Sequence, residues 1–398
     1  GIYGNPHSTS TNISFNFGQD SSFAGTETAQ NETDGNGIGD FYYAPPSGFL
    51  ALCTANLPEP TIGANSDTQA DDHFNTVLYN GNGSTNAITG VGFQPDWVWI
   101  KNRVATPSHR LFDSSRGVQH VLFSNLTNAE STSESGVTSF DSDGFTLGSH
   151  TGANTNSNTH VAWNWLANGG TTVTNEDGTA DSTVQANTDA GFSIIKWTGD
   201  GTTRTIGHGL TKTPELWISR RINTTDNWLT YFTVVDGTLD YMYLNLTNAS
   251  SGSGITLPTS TVFTDGLSTG TSDDRICYAF HSVESYSKIG SYTGNGNADG
   301  TFVYTGFRPA WIMWKRTDSA TGGSWVIQDT TRRQFNPMNV SLYPNLSNAE
   351  ATGETFRVQD TLSNGFKLRA SAAECNASGG TYIYMAFAEA PFKYANAR

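Results

Sequence analysis

A basic side chain follows each of three tryptophan-bearing segments: Lys101 after Trp97-Val98-Trp99-Ile100, Arg220 after Leu216-Trp217-Ile218-Ser219, and Lys315 after Trp311-Ile312-Met313-Trp314. A recurring cation can form a repeated anion site, suited to acidic glycans. It can also snorkel at a strand end, its stem lying on apolar neighbours. Arg116 and Arg332 close a second recurring group, Asp113-Ser114-Ser115-Arg116 and Asp329-Thr330-Thr331-Arg332. Asp beside hydroxyl residues builds turns that an Asp–Arg pair can staple, and the same group could border a ligand groove. These five cations are the candidate ligand or anion contacts. Asp34-Gly35-Asn36-Gly37-Ile38-Gly39-Asp40 alternates oxygen donors as a calcium loop does. Ile38 interrupts that pattern and no closing Glu follows, so a Gly-rich turn is expected, with calcium at Asp34, Asn36 and Asp40 as the weaker reading.

Other chemistry has little to stand on. The eight histidines form no HExxH and no close pair. No CxxC, nucleophile elbow or P-loop is present. Carboxylates are plentiful, so an acid pair of the glycosidase kind stays open. No copy carries a distinctive acid, however, and the expectation is a protein that is not an enzyme and needs no cofactor. The net charge of −15 opposes a broad nucleic-acid surface. Cys53, Cys277 and Cys375 are odd in number and far apart, as for reduced thiols of a chain assembled in a cytoplasm, although a disulfide pair stays open. No run of 18 apolar residues suggests membrane insertion. The chain starts at Gly1 with no visible signal peptide, from which a missing upstream part is expected.

The elements that must position these residues come in threes. An aromatic residue runs into a glycine turn at Tyr79-Asn80-Gly81, Trp197-Thr198-Gly199 and Tyr292-Thr293-Gly294. The tryptophan strand follows, then Asn125-Leu126-Thr127-Asn128-Ala129, Asn245-Leu246-Thr247-Asn248-Ala249 and Asn345-Leu346-Ser347-Asn348-Ala349. Turns at Asp143-Gly144-Phe145, Asp265-Gly266-Leu267 and Asn364-Gly365-Phe366 come next. Strands bearing Val161-Ala162-Trp163, Tyr278-Ala279-Phe280 and Met385-Ala386-Phe387 close each copy. Gly, Asn and Thr are abundant and aromatics reach 12%, a mixture for short strands and tight turns. The fold class expected is all-β, as tandem β-sandwiches of jelly-roll or concanavalin-like kind over 71–168, 189–284 and 285–398. Each is expected to bury its own core. Residues 61–70 and 167–188 read as linkers. Residues 1–60 read as the end of another β domain. The tryptophan strands are apolar at both parities (Trp97 and Val98, Leu216 and Trp217, Trp311 and Ile312), which marks them as central and buried rather than as a glycan platform.

Two resemblances follow from these residues. Phe17-Gly18-Gln19, Pro45-Pro46-Ser47-Gly48-Phe49 and Asn56-Leu57-Pro58 are similar to the C-terminal end of SPRY-type, concanavalin-like domains of phage tail proteins. Gly92-Phe93-Gln94-Pro95-Asp96-Trp97-Val98-Trp99-Ile100-Lys101-Asn102-Arg103 and Tyr382-Ile383-Tyr384-Met385-Ala386-Phe387-Ala388-Glu389-Ala390-Pro391-Phe392 resemble an uncharacterised domain of marine tailed-phage virion proteins. The middle copy departs from it: Lys212-Thr213 replaces Gly-Phe, and Arg116 has no counterpart there. The resemblance implies a structural virion protein, assembled in the host cytoplasm and placed on a tail fibre or other surface appendage. Its partners would be other virion proteins and a host-surface glycan or protein, and it would form homo-oligomers, trimers among them. A head-fibre or capsid-decoration role and a glycan depolymerase are the alternatives.

Overall fold

The computed structural model describes residues 2–4, 13–56, 61–63, 67–132, 135–266 and 270–390. Leu57, Pro58, Leu267, Pro391 and Phe392, quoted above, lie outside the described residues. The chain is nearly all β and divides into two compact units, Gly1–Pro60 and Thr61–Arg398. The smaller unit is short strands and turns, Ile2–Gly4 pairing with Ile13–Phe15 and Gln19 bridging to Asp40.

In the larger unit each copy carries a main antiparallel sheet and a smaller one. In the first copy the main sheet runs Phe74–Asn80, Thr159–Trp165, Trp97–Asn102, Arg110–Asp113. In the third it runs Ser287–Thr293, Thr381–Ala388, Pro309–Arg316, Val326–Asp329. The middle copy keeps the same four-strand core, Phe192–Asp200, Thr271–Phe280, Leu216–Arg221, Leu229–Phe232. It adds Val173–Asn175 and Ser182–Asn187 on one side and Asp240–Tyr243 and Ser251–Gly252 on the other, so its sheet reaches eight strands. The 167–188 segment, expected as a linker, is therefore partly strand. Thr183, Val184 and Gln185 sit in register with Lys196, Ile195 and Ile194.

The glycines of the opening turns divide the work. Gly83, Gly201 and Gly296 adopt positive φ (68°, 87° and 67°), which L side chains resist. Gly81, Gly199 and Gly294 do not; a Cβ there would lie 2.1, 2.8 and 2.3 Å from a backbone oxygen of the facing segment.

Both faces of each main sheet are covered, which is why the tryptophan strands are apolar at both parities. In the first copy Val98, Ile100, Phe112 and Ala162 pack on Ile88, Phe145 and Leu147 of the smaller sheet. In the second, Ile195, Trp217 and Ala279 pack on Ile206 and Phe263. The opposite faces do not meet solvent. Trp97, Trp99, Trp163 and Trp165 of the first copy join Phe192, Ile218, Tyr278 and Phe280 of the second and Trp311, Met313, Met385 and Phe387 of the third in one core. Trp97 stacks on Tyr278 at 4.2 Å, Trp165 meets Trp311 at 5.8 Å, and Phe280 meets Phe387 at 6.2 Å. The first and second copies thus bury a core of their own between their two sheets, and all three copies share a further one.

Their contacts repeat cyclically. Glu130 N–H donates to Ile222 O at 2.7 Å, Ser250 N–H to Thr317 O at 2.7 Å, and Glu350 N–H to Arg103 O at 2.8 Å. These are equivalent atoms, running first to second, second to third and third back to first. The asparagine opening each Asn-Leu-Thr/Ser-Asn-Ala block holds the start of a neighbouring strand: Asn125, Asn245 and Asn345 Oδ1 accept from the N–H of His109, Trp228 and Trp325 at 3.2, 3.0 and 3.0 Å. Two of those rings reach the preceding copy, Trp228 Nε1 donating to Phe123 O at 2.8 Å and Trp325 Nε1 to Tyr243 O at 2.9 Å. His109 faces the Tyr343 carbonyl, but its Nε2 lacks good hydrogen-bond geometry. There Ser124 Oγ donates to Pro344 O at 2.6 Å instead.

Candidate functional site

The two Asp-hydroxyl-hydroxyl-Arg groups fold identically. Asp113 accepts from Arg116 N at 2.8 Å and Arg116 Nε at 2.5 Å. Asp329 accepts from Arg332 N and Nε at the same two distances. Arg116 Nη2 then caps Leu111 O and Arg332 Nη2 caps Ile327 O, both at 3.0 Å. Ser114 N–H reaches Asp96 O at 2.9 Å and Thr330 N–H reaches Ala310 O at 2.8 Å. With four bonds matched, Ser114-Ser115 and Thr330-Thr331 occupy equivalent places on rigid turns.

Their surroundings differ. In the first copy the Ser114-Ser115 pair is covered by the added strand of the second copy. Gln185 Nε2 donates to Ser114 Oγ at 3.0 Å and to Ser115 Oγ at 2.6 Å. In the third copy Thr330 and Thr331 border an open cavity of 650 Å³, with Arg308, Gln334, Phe335, Asn336, Thr361 and Glu389. Phe335 is 74% exposed at this rim. Arg308 pairs with Glu389, so the two charges cancel. Asn336 is held by Thr361, whose N–H donates to Asn336 Oδ1 at 2.9 Å.

Sequence reasoning missed this rim, because it followed the blocks that align. The available signal was a break in spacing. Asn125 follows Asp113 by 12 residues (125−113), whereas Asn345 follows Asp329 by 16 (345−329). The longer loop of the third copy carries Gln334, Phe335 and Asn336.

The five cations singled out from the sequence stand elsewhere. Lys101 and Lys315 are wholly buried and Arg220 is 2% exposed. Lys101 Nζ donates to Asn102 O at 2.9 Å and Ala105 O at 3.2 Å, and Lys315 Nζ donates to Gly323 O. Arg220 Nη2 donates to Thr127 O at 2.9 Å and Asn128 O at 2.7 Å, tying the second copy to the first. Arg116 and Arg332 are buried in their turns and pair also with Glu130 and Glu350. These bonds commit the five cations to main-chain carbonyls and internal carboxylates, while Arg116 also borders an open pocket with Lys196 and Arg275. Arg332 lies behind Thr330-Thr331 and supports the cavity without lining it.

Burial without a carboxylate pushes Lys315 down to about 7 and Lys101 down to about 8. An unfolded chain keeps the Lys315 proton up to its ordinary value near 10.5. Between pH 7 and 8.5 the unfolded state therefore binds more protons, and this residue makes stability rise with pH. Lys315→Met removes that contribution. The stability advantage of wild type over Lys315→Met, from urea midpoints at pH 6.5, 7.5 and 8.5, is expected to move in favour of wild type with each step. A difference constant across that range would refute it.

Asp34 is also committed within the fold. Its Oδ1 accepts from Asn36 N and Ile38 N at 2.9 and 3.0 Å, its Oδ2 from Ala51 N and Asn56 Nδ2 at 2.8 and 2.6 Å. These donors, set against the desolvation that opposes them, hold its carboxyl at about 2. The Asp34–Asp40 segment is an Asp-centred turn, and the oxygens that calcium would need from Asp34 already have partners. Among the described residues no cluster of three or more His, Cys, Asp or Glu is placed to hold a metal. The three cysteines are free, Cys53 exposed and the other two buried.

No curated protein and no solved structure matches the chain. One family matches, and its extent covers all three copies as a single domain, in keeping with the shared core. Residues 69–391 match the family described as a domain of unknown function (DUF7483), and the chain belongs to that family.

Proposed function

We propose that the chain is a non-catalytic structural protein of a tailed-phage particle, part of a tail fibre or similar receptor-binding appendage, and that the third copy's cavity is its contact with a host-surface glycan. The observation that carries this reading is the asymmetry between equivalent turns: one hydroxyl pair is closed by Gln185, while the other is open and rimmed by an exposed Phe335. An exposed aromatic on a loop held by a rigid β scaffold is where recognition is commonly placed. The phage setting rests on the sequence resemblance. The only carboxylate among the described cavity residues, Glu389, is engaged by Arg308, which leaves no acid pair there for a depolymerase. A threefold-like body with its polar groups spent internally suits a rigid spacer that displays one contact.

The test is adsorption. The fluorescent chain, displayed multivalently on beads so that avidity amplifies a weak contact, is expected to adsorb to some strains of a panel of marine bacteria. Phe335→Ala should reduce that adsorption by about tenfold, the equivalent of roughly 1.4 kcal/mol. Absence of adsorption to every strain at high valency would overturn the reading.

A further inference from the structure

The filled site in the first copy shows which chemistry the open one accepts. Gln185 presents a primary amide, and one N–H-bearing nitrogen reaches both hydroxyls, at 3.0 and 2.6 Å. The turn beneath is the same in the third copy to within about a tenth of an ångström in its main bonds. Thr330 and Thr331 therefore offer two hydroxyl oxygens to an amide, each able to accept one N–H, and neither hydroxyl has a partner among the described residues.

Three further features narrow the ligand. Arg308 and Glu389 cancel in charge, so neither an anionic nor a cationic ligand gains net attraction. Phe335 can offer only its ring face, having no donor or acceptor of its own. Gln334 and Asn336 add planar amides, of which Asn336 is already oriented by Thr361. The volume of 650 Å³ lies inside the roughly 300–1,000 Å³ range of small-molecule sites. A ligand that combines an amide, an apolar ring face, many hydroxyls and no charge is an acetamido sugar.

We propose that the third copy's cavity binds a neutral acetamido sugar, its amide N–H donated to one of the Thr330 and Thr331 hydroxyls and its ring face against Phe335. This rests on the reading of the cavity as a glycan contact and adds the class of glycan. The amide is the discriminating group: glucose cannot supply the N–H, and glucosamine brings a charged ammonium that the cancelled Arg308–Glu389 pair does not favour. Thr→Val keeps the shape and removes the acceptors, so it separates chemistry from packing.

The experiment uses the full chain, with calorimetry and ligand-observed NMR on oligomers of N-acetylglucosamine and N-acetylgalactosamine against the matching glucose and glucosamine oligomers. At least one acetamido series is expected to bind about tenfold more tightly than its unacetylated counterparts, consistent with one well-placed hydrogen bond to a hydroxyl acceptor. Phe335→Ala and the double variant Thr330→Val/Thr331→Val should each remove about tenfold or more, with unchanged thermal unfolding. Equal binding of glucose and acetamido oligomers, or no effect of either variant on binding, would overturn the assignment. So would stronger binding of a short glutamine-containing peptide, which would transfer the site to polypeptide. If cells adsorb the chain while acetamido sugars neither bind nor compete, the sugar assignment fails and the receptor-contact reading stands. If adsorption itself is absent, the underlying reading fails.

Discussion

Trp311→Ala is expected to destabilise the whole of the larger unit by about 3–5 kcal/mol, the cost of deleting a large buried aromatic, and to do so in a single unfolding transition. Trp311 has no exposed surface. Its ring touches Phe387 at 5.7 Å within its own copy, and Phe74, Trp163 and Trp165 at 6.0, 6.4 and 5.8 Å in the first copy. A cavity there takes packing from two copies at once. The first copy in turn leans on the second through Trp97 and Tyr278 at 4.2 Å. The chain of contacts is closed, so no copy can lose its outer face and keep the other two intact. Calorimetry of wild type and variant is the check: one transition in each, shifted to lower temperature in the variant, with calorimetric and van't Hoff enthalpies agreeing over the larger unit. Three resolvable transitions, or a variant in which only the third copy melts early, would show that the copies are energetically separate.

The copy number, the all-β class and the burial of the tryptophan strands could be read from residues, because block order and two-sided apolarity are local properties. The second partner of each strand could not. Val98 and Ile100 find their cover in the smaller sheet a few tens of residues away, within their own copy. Trp97 and Trp165 find theirs in Tyr278 and Trp311, far along the chain. Nothing in the period distinguishes an outer sheet from a neighbouring copy as the covering layer. A clue was present: a two-sheet sandwich has one interior, so large apolar residues on both faces of the same strand require a second cover.

The candidate site was less legible still. Lys101, Arg220 and Lys315 recur in one column, and recurrence drew attention to them, but each is spent inside on main-chain carbonyls: Asn102 O for Lys101, Thr127 O for Arg220 and Gly323 O for Lys315. Features built once escape a search for repeats. Phe335 belongs to a loop without a counterpart, and Gln185 to a segment whose Thr, Asn and Gly content resembles a linker. Chemical distinction in a triplicated chain lies where the copies disagree.

The middle copy shows such a disagreement resolved by apolar replacement, and it sets the second large expectation. Asp113 Oδ2 accepts from Tyr278 Oη of the second copy at 2.7 Å, and Asp329 Oδ2 accepts from Trp163 Nε1 of the first at 3.1 Å. At the remaining interface Phe232 takes the acid's place and Met385 the donor's, both in the shared core. Val235 replaces the arginine and Ser250 the glutamate. Asp113→Ala strands the buried Arg116 with Glu130 as its remaining carboxylate and leaves the Tyr278 hydroxyl unpaired, at an expected cost of about 3–5 kcal/mol. Removing every member together is a different perturbation, since neither the Arg116 charge nor the Tyr278 hydroxyl is then left buried without its partner. The composite Asp113→Phe/Arg116→Val/Glu130→Ser/Tyr278→Met copies the interface that the chain already uses between its second and third copies. It should recover most of the loss, to within about 1–2 kcal/mol of wild type, because a buried ion pair exchanged for packed apolar groups is often neutral. Urea denaturation of the single and composite variants decides it. A composite no more stable than Asp113→Ala would mean that the three interfaces are not interchangeable, and that the charged cluster holds the first and second copies together in a way Phe232 and Met385 do not reproduce.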